Sequence, residues 1–384
     1  MARRLLALVV ALCSFSAVSA GPHHHRLREL VRVQGHKAVD EHAPALTPKP
    51  LPVFFFHGVT ANASSGYNYQ ANLTAEGRVF VALNFCPSLC SVSALPGQVQ
   101  AAITAVRTRV ASDAAFAKGY VFIGHSQGAA IARAVIEEMD DHNVKMFISL
   151  AGPQTGVFYG PQPSDIIPRM AFTMRIGPQM IPSFDFSKYS GADYAAGKFQ
   201  SDFNALVLGN PLLQQQLSVV NLGRSPVKKA WRAVNTFLPV INNVNPCGKG
   251  DKQCMADKTR RRRNFLKLKS AHFFGSPADD VVAPWQSSIL GQFNDVVTSE
   301  DILLNFPLFR VIDMKLTDEY EYDTYGLRSL DVRGGLFLYA VPNVGHSCWV
   351  ADSKPLGATE ICRFQPVYEN YIYPLLHKQG WGEY

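Results

Sequence analysis

Several things are missing from this chain, and each absence removes a class of explanation. Beyond the first twenty residues no stretch has the length and apolarity of a membrane-spanning helix, which needs about 20 consecutive apolar residues. No two cysteines have C-x2-C spacing and no histidines sit at ligand spacing from them, so a structural zinc site is not expected, and neither a metal nor a cofactor is called for. There is no internal repeat, and nothing resembles a nucleic-acid-binding module, so no nucleic-acid partner is expected. What is present is 384 residues, 47% of them hydrophobic, which excludes a disordered chain. That length suits one elaborated domain or two modest ones.

The beginning of the chain points to export. Met1-Ala2-Arg3-Arg4 is basic, residues 5–15 are apolar, and Val18-Ser19-Ala20 places small residues where a signal peptidase reads. Residues 1–20 are therefore expected to be a signal peptide, a buried first strand being the alternative. Residues 21–49, including His23-His24-His25, lack periodicity and read as an exposed N-terminal extension. Cys13 falls in the leader, leaving Cys86, Cys90, Cys247, Cys254, Cys348 and Cys362, an even number grouped as three close pairs. Neighbour pairing into disulfides is the simplest arrangement; scattered free thiols are the alternative. Asn62-Ala63-Ser64 and Asn72-Leu73-Thr74 are glycosylation sequons in a polar stretch. Much of the net charge of +7 is local, in Lys258-Thr259-Arg260-Arg261-Arg262-Arg263. A solvated loop is expected there, with attraction to an acidic membrane surface or a processing site as alternatives.

Secondary-structure signals alternate in the first half. Residues 52–56 form a continuous apolar run ending in His57-Gly58, residues 79–83 a second strand, 98–110 a helix, 120–123 a third strand and 144–150 a fourth. This rhythm predicts a mainly parallel sheet covered by helices on both faces. It is lost across residues 153–265, which are rich in proline, aromatics and methionine and read as an insertion capping the sheet. It resumes at 271–275 and 335–340, the last two strands. Residues 50–384 then form one elaborated domain.

Within that frame lies Gly124-His125-Ser126-Gln127-Gly128, preceded by an apolar strand and followed by a helix of small and apolar residues. A serine on so sharp a strand-to-helix turn projects above the sheet edge, and the glycines let strand and helix pass closely. The following helix supplies free N–H groups and a positive dipole end for a developing oxyanion. A plain turn bearing a surface serine is the bland alternative. A nucleophilic serine also needs a neutral imidazole and an orienting carboxylate. In α/β-hydrolases these follow in the order serine, acid, histidine, on loops after late strands. The loop after 271–275 carries Asp279 and Asp280, and the loop after the last strand carries His346. Asp279 is favoured because it stands three residues before the aliphatic Val282, which leaves Asp280 facing solvent. The oxyanion donors of this fold fall on the backbone N–H of Gln127 and, just past His57-Gly58, of Val59.

With these segments in view, the chain resembles the palmitoyl-protein thioesterases. Residues 124–128 look like their G-x-S-Q-G-G, with Ala129 in place of the second glycine. Residues 151–158 are similar to a G-G-x-x-x-G-V-F stretch, 237–242 to F-L-x-x-I-N, and Pro284-Trp285-Gln286-Ser287-Ser288 follows the acid as in one branch of the family. Gly326-Leu327 through Asp331 and Gly334-Gly335-Leu336 look like the family's penultimate turn and last strand. The resemblance spans residues 50–384 and implies an α/β-hydrolase with Ser126, Asp279 and His346 as triad. It further implies Val59 and Gln127 as oxyanion donors and an acyl groove in the insertion, with Phe158, Met170, Phe172, Met174 and Met180 as lining residues. The implied substrates are S-acylated proteins or peptides and acyl-CoA, in the lysosomal lumen or outside the cell. A lipase or carboxylesterase acting on oxygen esters would carry the same three residues, and a hydrolase-like binding protein would ordinarily lack one of them.

Overall fold

The computed structural model describes residues 50–377; the expected signal peptide and N-terminal extension lie outside the described residues. Eight strands are described: β1 (Val53–Phe56), β2 (Phe80–Ala82), β3 (Tyr120–His125), β4 (Val144–Leu150), β5 (Ser270–Gly275) and β8 (Leu336–Ala340) form one sheet, and β6 (Gln292–Phe293) and β7 (Val311–Ile312) form a separate antiparallel ribbon. The large sheet runs β2-β1-β3-β4-β5-β8, and every neighbouring pair in it is parallel. This is the mainly parallel sheet expected from the alternation of strands and helices, and the α/β-hydrolase architecture that the family resemblance implies.

Continuous apolar runs make these strands because both faces of the sheet are buried. Side chains alternate along β1, so Phe54 and Phe56 enter one core while Val53 and Phe55 enter the other. The first core holds Phe122, Phe147 and Phe273 under the helices Leu95–Ser112 and Gln127–Glu138, which pack side by side. The second holds Val121, Ile148 and Phe274 against Tyr69, Trp349, Phe364 and Tyr368. Parallel order sends all the C-terminal strand ends to one edge, and that edge is where such sheets place a site.

Residues between β4 and β5 are helical but fragmented. Short helices such as Ile166–Ala171, Gly177–Met180 and Gly191–Ala195 precede the longer Lys198–Gly209. Phe172, Phe184, Phe186, Tyr189 and Phe199 make an aromatic core of their own. The basic run is not the solvated loop expected from its charge. It lies in the helix Lys252–Phe265, which packs on Gln127–Glu138 and places Phe265 in the first core. Arg260 and Arg261 both bond Glu138, Arg262 bonds Asp323, and Arg263 lies 3.7 Å from Asp140, so carboxylates distant in sequence neutralise the run. Three disulfides join Cys86 to Cys90, Cys247 to Cys254 and Cys348 to Cys362, with Cα separations of 5.1, 5.7 and 5.9 Å. Among the described residues, no helix is long and apolar enough to cross a membrane.

If the aromatic layer beneath the sheet carries the stability, Phe54→Ala should cost about 3–5 kcal/mol by denaturant unfolding with disulfides intact. Val332→Ala, at a side chain 80% exposed, should stay within about 0.5 kcal/mol. Equal effects at the two positions would contradict this packing account.

Candidate active site

Strand β3 ends at His125, and the next helix begins at Gln127, so Ser126 alone makes the turn. It does so at φ 56° and ψ −132°, a conformation that side chains other than glycine rarely adopt. The two flanking glycines are explained by crowding. A Cβ at Gly124 would stand 2.5 Å from the Ala129 Cα, and one at Gly128 would stand 2.3 Å from the Phe56 carbonyl oxygen. Helix and strand β1 therefore approach the turn more closely than any larger residue permits.

Two loops from the same sheet edge meet this serine. The loop after β5 carries Asp279, only 4% exposed, whose Oδ1 accepts the N–H groups of Val281 at 2.9 Å and Val282 at 2.8 Å. The loop after β8 carries His346. Its Nδ1 lies 3.0 Å from both Asp279 carboxylate oxygens, and its Nε2 lies 2.9 Å from Ser126 Oγ. A carboxylate can only accept, so Nδ1 bears the proton and Nε2 presents its lone pair to the serine hydroxyl. Burial disfavours the imidazolium here, but the charge and hydrogen bond of Asp279, with Asp280 adding its field, outweigh it. The His346 pKa is raised from its ordinary 6.5.

Two groups secure the backbone of His346, and neither was assigned this role from the sequence. Asp280 does not face solvent freely: its Oδ1 accepts the His346 N–H at 3.0 Å and its Oδ2 accepts the Leu356 N–H at 2.8 Å. The adjacent carboxylates divide the work because successive side chains diverge, one toward the imidazole and one toward the main chain. His125 Nε2 lies 2.8 Å from the His346 carbonyl and so donates to it. Burial and the charge of His346 push the His125 pKa down to about 3, which keeps this ring neutral. His57, at the turn after β1, bonds the Gly58 carbonyl through Nδ1 and stacks on Phe85.

Ser126 opens on a cavity of about 450 Å³. Val59 and Gln127 line it beside the serine, and Gln127, as the first helical residue, has no intrahelical acceptor for its N–H. Of the lining residues expected from sequence, Phe158, Phe172 and Met180 border this cavity. Met170 and Met174 do not: they are 40% and 72% exposed. Phe172 and Ile176, four residues apart, turn inward, which sends residues two positions away to the opposite face. The helix Lys198–Gly209 contributes Phe199, Phe203 and Val207, a lining set missed earlier although its i, i+4, i+8 spacing is legible in the sequence. The sequon asparagines lie near the surface. Asn62 caps a short turn by accepting from the Ser64 N–H, and Asn72 Nδ2 bonds the Asn68 carbonyl.

Residues 52–346 match the sequence model of the family described as palmitoyl protein thioesterase. The chain is 30% identical to lysosomal thioesterase PPT2-B of Xenopus laevis over 256 residues, covering 66% of this chain and 68% of that protein. It is 27% identical to lysosomal thioesterase PPT2 of Homo sapiens over 306 residues, 78% of this chain and 82% of that one. A solved monoacylglycerol lipase of Paleococcus ferrophilus aligns at 11% identity and a TM-score of 0.34, over 78% of this chain and 89% of that chain, too distant to inform the site. With the family match running from the first strand to the histidine beside Ser126, the chain belongs to the palmitoyl protein thioesterase family and is a hydrolase.

Proposed function

We propose that this hydrolase cleaves long-chain fatty acyl thioesters, namely the S-acyl cysteines of proteins or peptides and acyl-CoA, through an acyl-enzyme on Ser126. One observation carries the reading: the hydrogen-bonded row Ser126, His346, Asp279 ends at a cavity whose walls are mainly apolar and aromatic. Family membership and the names of the relatives favour a thioester over an oxygen ester. Those names also favour the lysosomal lumen, with Asn62 and Asn72 as proposed glycan acceptors.

In this mechanism His346 Nε2 takes the Ser126 proton as Oγ attacks the thioester carbonyl. Negative charge grows on the carbonyl oxygen opposite the Val59 and Gln127 N–H groups, while Asp279 steadies the imidazolium. The C–S bond then breaks; the thiolate, a good leaving group, needs little acid assistance to depart and takes up the His346 proton, which returns the imidazole to its neutral form. His346 then takes a proton from water as it attacks the acyl-serine, and returns that proton to Ser126 Oγ as the fatty acid is released. Residues 153–265 are the proposed acyl-binding insertion, with Phe158, Phe172 and Met180 beside the chain.

Ser126→Ala should lower kcat/KM on palmitoyl-CoA by at least about 10³-fold, and full retention would remove Ser126 from the mechanism. On matched substrates the thioester should react faster than the oxygen ester; the reverse order would favour a lipase or carboxylesterase. The base must be neutral to act, so kcat/KM should rise with pH. Because the His346 pKa is raised, the midpoint of that rise should lie above 6.5. His125, titrating near 3, should leave no second limb in this range. A midpoint below 6 would contradict the assignment of His346 as base.

A further inference from the structure

The structure assigns Ser91 as a positioning residue that fixes the distance between the two oxyanion donors. This inference rests on the oxyanion reading of Val59 and Gln127 above. Ser91 is fully buried in the short turn Ser88–Val92, and it is remote in sequence from both donors. Its hydroxyl donates to the Ser88 carbonyl at 2.5 Å. A serine has one hydroxyl proton, so toward the Thr60 N–H, 2.6 Å away, Oγ can only accept. Thr60 directly follows Val59 and sits at φ 58°, in the left-handed region where a threonine needs outside support. The Ser91 bond supplies that support, occupies the Thr60 N–H, and leaves the Val59 N–H as the donor beside the serine.

The main chain of the same residue holds the other side. The Ser91 carbonyl accepts from the Gln127 side-chain amide at 2.8 Å and from Gln98 Nε2 at 2.9 Å. Gln127 Nε2 also reaches Gln98 Oε1 at 3.2 Å. Thus one buried residue grips the loop bearing Val59 through its hydroxyl and the helix start bearing the Gln127 N–H through its carbonyl. The turn is tied further to the Val59 loop by the Ser88 N–H bonding the Ala61 carbonyl at 2.7 Å, and it is closed by the Cys86–Cys90 disulfide. Leu89 and Val92 of this turn border the cavity. Donors held on two separate elements stabilise an oxyanion only when their spacing matches it, and a bridge between those elements sets that spacing.

The test uses the full chain and three ligands: a palmitoyl thioester, palmitic acid as product, and a palmitoyl trifluoromethyl ketone, which forms a serine-bound tetrahedral oxyanion. Removing an oxyanion donor outright costs about 10²–10³ in kcat, so misplacing one by Ser91→Ala should lower kcat by about 10- to 100-fold. Affinity for the ketone should fall in parallel, while KM and palmitic acid affinity change less than about twofold. Ser93→Ala, which removes the exposed hydroxyl bonded to the Cys90 carbonyl on the same turn, should match the wild type. If Ser91→Ala does not fold, Gln127→Met keeps the Gln127 N–H but removes its tie to Ser91, and it should show the same split. A folded Ser91→Ala enzyme with kcat and ketone affinity within about twofold of wild type would overturn the assignment. So would loss of palmitic acid affinity equal to the loss of kcat. Failure of the underlying oxyanion reading looks different: the wild-type enzyme would then bind the ketone no more tightly than palmitic acid.

Discussion

Everything at this site hangs on a single strained residue, Ser126, whose backbone sits at φ 56° where a parallel strand turns into a helix without a loop. Strain of this kind costs on the order of 1–3 kcal/mol and persists only if the surroundings over-determine it. They do so here from three sides. Strand β3 is flanked by β1 and β4, the Gln127–Glu138 helix is buried along nearly its whole length, and the carbonyl of Phe56 presses against Gly128. The turn is therefore rigid, and the serine it lifts from the sheet edge stands at a defined place for other loops to meet.

The partners are rigid for a different reason. Asp279 and His346 sit on loops, which tolerate movement, yet each is tied by hydrogen bonds that contribute nothing to the reacting atoms directly. Backbone N–H groups hold the Asp279 carboxylate; Asp280 and His125 grip the N–H and carbonyl of His346. Ser91 plays the corresponding part on the oxyanion side. A catalytic geometry accurate to a fraction of an ångström needs such supporting contacts as much as the groups that face the substrate. The neutral, deeply buried His125 illustrates the principle: the residue inside the nucleophile motif serves the histidine, not the serine.

The sheet was readable from sequence because its strands are buried on both faces, and residues such as Val144–Leu150 leave no other way to hide an unbroken apolar run. The hydrogen-bonded row of Ser126, His346 and Asp279 was legible as a candidate site because this fold imposes chain order and places such residues directly after strands. The insertion was opaque because its helices are short and interrupted by proline, and both faces of 166–176 are apolar, so nothing in the sequence told Phe172 from Met174. The arginine run misled for a related reason: its partners Glu138, Asp140 and Asp323 are remote in sequence, and without them four consecutive cations look solvated. Ser91 carried no signal, and Asp280, visible only as the rival of Asp279 and expected to face solvent, gave no sign of its positioning role, since the contacts that matter run across 31 and 66 residues.

The central claim is that the acyl group passes through Ser126. Mixing the enzyme with palmitoyl-CoA, quenching in acid within the first turnover and mapping the peptides by mass spectrometry tests it directly. The account predicts a palmitoyl adduct on Ser126 that appears before free palmitate and decays as palmitate forms. Palmitate released at full rate with no adduct, or an adduct on another residue turning over at that rate, would contradict it.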